Sequence, residues 1–249
     1  MVCLSALGSI RFTSNDAIAD CSDAVDAGIF CLRVWFELFC DSMALNATIH
    51  SLAIDLSDID RGVYESLDLR VARQPSETPE FMLTRILAYC LEYSEGIYFT
   101  EGVAAGDEPA VCVRDLTGRL TAWIEVGMPD AERLHRGVKL AGRAAVYTHR
   151  DAGQLLRQFA GKKIHRSDEI PIHAFDPRFI DEVAGLVDRR TELALSVTER
   201  QLYLQVGART LASTVVEHRI KLAGTDGKVR VTALPVETTI LWRQTLDPF

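Results

Sequence analysis

The chain has 249 residues, enough for one large domain or two small ones, and a hydrophobic share of 48% fills an ordinary core without staples. A formal net charge of −8 opposes broad attraction to phosphate backbones, so any nucleic-acid partner has to be held by a local patch or a bound cation. No apolar run approaches the roughly 18 residues that span a bilayer, which excludes a transmembrane helix and a membrane partner.

Cys3, Cys21, Cys31 and Cys40 precede Met43, and only Cys90 and Cys112 fall within the regularly patterned region. None shows CxxC or Cys/His spacing, so free thiols in a reducing compartment are expected. The first residues lack a basic stretch, and the apolar run from Ala27 to Cys40 contains Arg33 and Glu37 with no small-residue cleavage pattern after it. A secretory signal is not read here, and the expected location is the cytoplasm.

In chain order, residues 1–42 carry no steady period and end in a clump of Phe30, Leu32, Trp35, Phe36, Leu38 and Phe39. They read either as an arm that packs on a partner or on the domain, or as residues preceding the true start. The second is preferred, because Met43 opens the first regular pattern. Leu45, Ala47 and Ile49, then Leu52, Ile54 and Leu56, predict a strand that bends midway, with Asp58, Asp60 and Gly62 in the following turn. The pattern Asp58-x-Asp60 resembles the start of a calcium loop but lacks its late glutamate. Val63, Leu67, Leu69 and Val71 mark a second strand. Thr78 and Pro79 are an N-cap and a first helical position, and Met82, Leu83, Ile86, Leu87, Cys90 and Leu91 form the wide apolar stripe of a central helix over about residues 78–93.

Val111 and Val113, the turn Asp115-Leu116-Thr117-Gly118, and Leu120 to Val126 predict a hairpin. Pro129 and Asp130 start a helix to about Leu140. Ala144 to Thr148 is a short strand, Asp151 caps a helix closed by Gly161, and Ile170 to Phe175 is another strand. Asp176 and Pro177 open a helix to about Asp188. Leu193, Leu195 and Val197 against Leu202, Leu204 and Val206 make a terminal hairpin. The order predicts an α/β (α+β) fold, a mixed β-sheet flanked by helices, over residues 43–217, with residues 218–249 as a loosely attached tail.

The chain contains no GxSxG, Walker loop, GxGxxG or HExxH, and no helix-turn-helix, zinc finger or strongly basic stripe. His135, His149 and His173 are scattered and read as surface or capping residues. The carboxylates are more informative. Glu77 and Glu80 lie three residues apart at the start of the central helix. The hairpin register sets Glu125 opposite about Ala110, close to Asp107 and Glu108. Grouped like charges invite a proton or a hard cation, and two or three carboxylates with water are the usual holders of magnesium or manganese. The plainer reading makes Glu77 and Glu80 helix-start acids and leaves Asp107 and Glu108 on a loop. It explains Glu125 poorly, because that acid stands between Ile124 and Val126 in an apolar strand.

Pro75-Ser76-Glu77-Thr78, Asp107-Glu108-Pro109 and Trp123-Ile124-Glu125-Val126-Gly127-Met128-Pro129-Asp130, in that order, resemble the three hallmark segments of the YaeQ family. The similarity starts at Met43-Ala44-Leu45, runs through Tyr147-Thr148 and fades after about Glu217. It implies a variant of the PD-(D/E)XK nuclease core, in which Glu77 is the helix acid, Asp107 or Glu108 the first strand acid and Glu125 the second. Together these would hold Mg or Mn as the metal ligands of a Mg-dependent nuclease acting on nucleic acid. Gly127 stands where such a nuclease has its lysine. Lys139, with Arg136 behind it, is the candidate substitute from the next helix. The alternative implied by Gly127 and the net acidity is a catalytically inactive nuclease-like module that binds a protein or nucleic-acid partner.

Overall fold

A computed structural model describes residues 47–100 and 108–220, all in the second of two compact units, Asn46–Phe249. Residues 1–42 and Asp107 lie outside the described residues, as does all but the first few residues of the expected tail. In chain order the elements are β1 (Thr48–Asp58), β2 (Val63–Arg73), α1 (Pro79–Leu91), β3 (Ile97–Phe99), β4 (Val111–Arg114), β5 (Leu120–Val126), α2 (Ala131–Ala141), β6 (Arg143–Thr148) and α3 (Ala152–Phe159). They continue with β7 (Pro171–Ala174), α4 (Pro177–Ala184), β8 (Arg190–Thr198), β9 (Gln201–Val206), β10 (Arg209–Thr214) and β11 (Val216–Arg219).

The strands form two mixed sheets rather than one. The first has the order β10-β9-β8-β1-β2 and the second β11-β7-β6-β5-β4-β3. In the first sheet β1 runs parallel to β8 and antiparallel to β2. In the second, β5, β6 and β7 are parallel neighbours. Sequence pattern alone cannot separate the sheets, because the same period-2 signal serves both.

Burial explains the layering. Every residue of α1 from Met82 to Cys90 is buried, the mark of a helix covered on all sides. It shares one cluster with Leu52, Ile54 and Leu56 of β1, with Ile124 and Val126 of β5, and with Phe179 and Ile180 of α4. A second cluster lies on the other face of the second sheet, where Trp123, Val146 and Ile172 meet Leu134 and Val138 of α2 and Leu155 and Phe159 of α3. The order of layers is sheet, α1 with α4, sheet, α2 with α3.

Two strand details differ from the sequence pattern. β1 pairs with β2 in one unbroken register from Thr48 to Asp58, without the expected bend. Ile49 is therefore left 47% exposed while His50 takes the inward position and hydrogen-bonds the carbonyl of Asp188. β3 is only three residues long, and β10 and β11 carry few apolar residues, so none signals itself, and they pair with β4, β9 and β7. β11 runs from Val216 to Arg219, across the expected boundary at residue 217. Cys90 and Cys112 are free and buried, and burial pushes the Cys90 thiol up to about 12.

Candidate functional site

Glu125 is the next-to-last residue of β5. Alternation along the strand sends Ile124 and Val126 toward α1 and aims Trp123 and Glu125 at α2. Glu125 is 3% exposed. Its Oε1 accepts from Trp123 Nε1 at 2.6 Å and from Arg133 Nε at 2.5 Å. Arg133 stands in the first turn of α2, whose N-cap Asp130 accepts from the Arg133 amide. Arg133 Nη2 also donates to the carbonyl of Glu108. Burial raises the Glu125 carboxyl above its ordinary range, against the opposing pull of Arg133.

Glu77 lies on the other side of the second sheet. It is 4% exposed, between the end of β2 and the start of α1. Arg85 Nη2 sits 3.0 Å from its Oε1 and 3.2 Å from its Oε2, and the Gln74 amide donates to Oε2 at 3.2 Å. The same Arg85 nitrogen donates to the Ala72 carbonyl, and the guanidinium lies 5.6 Å over the Phe99 ring. Burial is the leading influence on both partners, raising Glu77 and lowering Arg85. Glu80, by contrast, is a helix-start acid, lowered by its own backbone N–H and the Thr78 hydroxyl.

The expected acids are thus not gathered around one point. Glu77 and Glu125 each close on an arginine, on opposite faces of the second sheet. Glu108 is exposed and reaches Glu125 only through its backbone carbonyl on Arg133. Asp107 is outside the described residues. Among the described residues no group of three or more His, Cys, Asp or Glu is placed to hold a metal ion. Val111 faces Ile124 across the hairpin, so the next step does bring Ala110 beside Glu125, as the register predicted.

Gly127 leaves β5 with φ +83°, and a Cβ there would meet the Phe81 ring at 3.1 Å. A lysine at this position would combine a left-handed backbone with a steric conflict. Lys139 is exposed in the last turn of α2, six residues beyond Arg133 and so about 9 Å farther along the axis. The position facing Glu125 belongs to Arg133, which the sequence reading missed. The available signal was a cation three residues after a capping aspartate, on the helix turn nearest the strand acid.

Trp123 itself is held by a close approach. A Cβ on Gly137 would stand 2.5 Å from the Trp123 ring, so the absence of a side chain there lets α2 lie against the indole. The arrangement is a mixed α+β domain in which buried acids are closed by arginine and indole donors.

Comparisons agree with that architecture. The model of the YaeQ protein family matches residues 43–216. YaeQ of Escherichia coli strain K12 is 31% identical over 163 residues, covering 65% of this chain and 90% of that protein, and YaeQ of Salmonella typhi is 29% identical over the same length. The crystal structure of YaeQ protein from Xanthomonas axonopodis pv. citri has a TM-score of 0.64 at 24% identity, covering 70% of this chain and 99% of that one. YaeQ protein from Pseudomonas syringae has a TM-score of 0.61 at 29% identity, covering 68% of this chain and 94% of that one. The chain belongs to the YaeQ family.

Proposed function

We propose that this chain is a nuclease-like module that works by binding a partner rather than by metal-dependent cleavage. The observation that carries this reading is the occupation of Glu125. The Oε1 of the strand acid best placed to hold Mg or Mn takes two donors, Trp123 Nε1–H and the Arg133 guanidinium. A guanidinium supplies in place the positive charge that a divalent cation would bring, and the two compete for one carboxylate. Glu77 is likewise closed by Arg85 and lies across the sheet, so these two acids do not fit a shared ion. Gly127 supports the same reading, since a backbone with φ +83° and the nearby Phe81 ring disfavour the lysine of a cleaving site there.

The nuclease reading is tested directly. The full chain and its Glu125→Gln variant are incubated with single- and double-stranded DNA and RNA in manganese or magnesium, and binding of each ion is followed by calorimetry. No cleavage by either protein, and no ion site that depends on Glu125, is the expected result. Cleavage by the wild type that disappears in the variant would establish a metal-dependent enzyme and end the binding-module reading.

A further inference from the structure

The charge of this molecule is not evenly spread. Residues 131–166 hold nine Lys or Arg against two Asp or Glu, within a chain of formal charge −8. No single run of sequence is strongly basic, because the cations are spaced among the apolar residues that pack α2 and α3 onto the second sheet. The fold brings them together on the outer layer. Arg136 and Lys139 are exposed, three apart on one face of α2. The segment after α3 returns along that helix, because the His165 amide donates to His135 Nδ1 at 3.1 Å. Arg166 Nη1 donates to the Gly142 carbonyl just past the end of α2. These two contacts set exposed Lys162, Lys163 and Arg166 beside Arg136 and Lys139.

Part of this charge is answered locally, since Arg133 pairs with Glu125, Arg143 with Glu92, Arg157 with Asp151 and Arg166 with Glu169. Among the described residues no carboxylate lies within ion-pair distance of Lys139, Lys162 or Lys163. Cations concentrated on one face repel one another, and a polyanion bound there answers their charge while its own condensed counterions are released.

We infer that the α2 face and the 162–166 segment form a docking surface for the phosphate backbone of duplex nucleic acid. This rests on the binding-module reading above and names its partner. A duplex fits better than a single strand, because among the described residues the exposed aromatic side chains, Tyr64, Tyr98 and Tyr203, lie on β2, β3 and β9 and offer no stacking platform beside these cations. It fits better than a lipid surface, because the apolar side of α2 is buried under Trp123 and only Leu140 projects outward beside the cations. Contact through phosphates alone carries no base specificity.

The test is fluorescence anisotropy of a labelled duplex of about 20 base pairs, long enough for several phosphate contacts, titrated with the full chain in EDTA over a salt series. Wild type is compared with Lys139→Ala/Lys162→Ala/Lys163→Ala and with a charge-matched control of three exposed arginines on strands of the other sheet, Arg70→Ala/Arg190→Ala/Arg209→Ala. All six positions are exposed, and circular dichroism confirms that each variant is folded. The lysine variant is expected to bind at least about tenfold more weakly and to lose about 3 from the slope of log K against log salt, with the control unchanged. Equal loss in both variants, no loss in the lysine variant, or no duplex binding by the wild type overturns the assignment. Tighter binding to phosphatidylserine vesicles than to the duplex, lost in the lysine variant, overturns it in favour of a membrane surface. EDTA separates this outcome from that of the cleavage assay. Cutting in manganese would end the binding-module reading without moving the salt slope, and an unchanged slope would end the surface without bearing on catalysis.

Discussion

Removing Arg85 while keeping Glu77 tests whether the acids of this fold are closed by arginine. Both side chains are almost fully buried, with Nη2 of Arg85 3.0 Å from Oε1 of Glu77. At that separation, an effective dielectric of about 20 gives an attraction of about 5.5 kcal/mol before desolvation is charged against it. Burial nonetheless dominates both partners, raising the carboxyl and lowering the guanidinium, so the pair is a compensated burden more than a net stabiliser. Arg85→Met leaves a buried carboxylate with the Gln74 amide as its remaining donor, and the expected loss is about 3–5 kcal/mol. Arg85→Met with Glu77→Leu removes both charges, leaving the Ala72 carbonyl without its donor and the Gln74 amide without its acceptor, for a loss of about 1–2 kcal/mol. Urea unfolding measures the difference as a shift in midpoint at constant m-value. If the double variant is as unstable as the single one, the pair is a true stabiliser. If Arg85→Met costs under about 1 kcal/mol, Glu77 does not depend on Arg85 and the compensation argument fails.

Gly137→Ala places a methyl group 2.5 Å from the Trp123 ring, so it should cost about 1–3 kcal/mol despite the better helix propensity of alanine, with a shift in tryptophan emission. A gain in stability would mean that α2 does not approach the indole this closely. Gly127→Lys, which restores the expected motif lysine, should destabilise by about 1–3 kcal/mol and create no cleavage, and a cutting variant would disprove the backbone argument. His149 accounts for a pH dependence. Its Nδ1 lies 2.9 Å from Thr84 Oγ1, whose own proton goes to the Glu80 carbonyl, so the imidazole is the donor. Burial, then Arg150, holds it below its ordinary 6.5, while Glu80 and Asp181 pull the other way. The unfolded chain then takes up a proton that the native state refuses, and the stability this confers is complete above 6.5 and lost as pH falls through the depressed native value. His173 is shifted in the same direction, so His149→Gln should flatten part, and not all, of the fall in melting temperature between about pH 7 and pH 5. An unchanged profile would remove His149 from that account.

Much of the fold was legible in local signals. Thr78 caps α1 through the Phe81 amide, and Asp130, Asp151 and Asp176 cap α2, α3 and α4, each at the position its sequence indicates. Gly118 turns the β4–β5 hairpin at φ +82°. Such features depend on a few adjacent residues, and their local order decides them. α4 shows the limit, since the pattern predicts a helix to about Asp188 while the helix ends at Ala184.

The chemistry of the acids was not local. Sequence marked Glu125 as unusual because it is a carboxylate inside an apolar strand, and it marked the hairpin that brings Glu108 near. Which cation answers Glu125 depends on how α2 crosses β5, and that crossing depends on Gly137 seating against Trp123. Glu77 and Glu125 look like two members of one set along the chain, yet alternation along β5 turns Glu125 toward α2 while Glu77 sits in the β2–α1 connection against Arg85 of α1. The basic excess of residues 131–166 can be counted in the sequence, but the placing of Lys162 and Lys163 beside α2 cannot be read there, because it depends on the His135–His165 contact that folds one segment against another. Capping and period are decided by neighbours in the chain, whereas charge pairing is decided by distances across layers, and only the tertiary structure sets those.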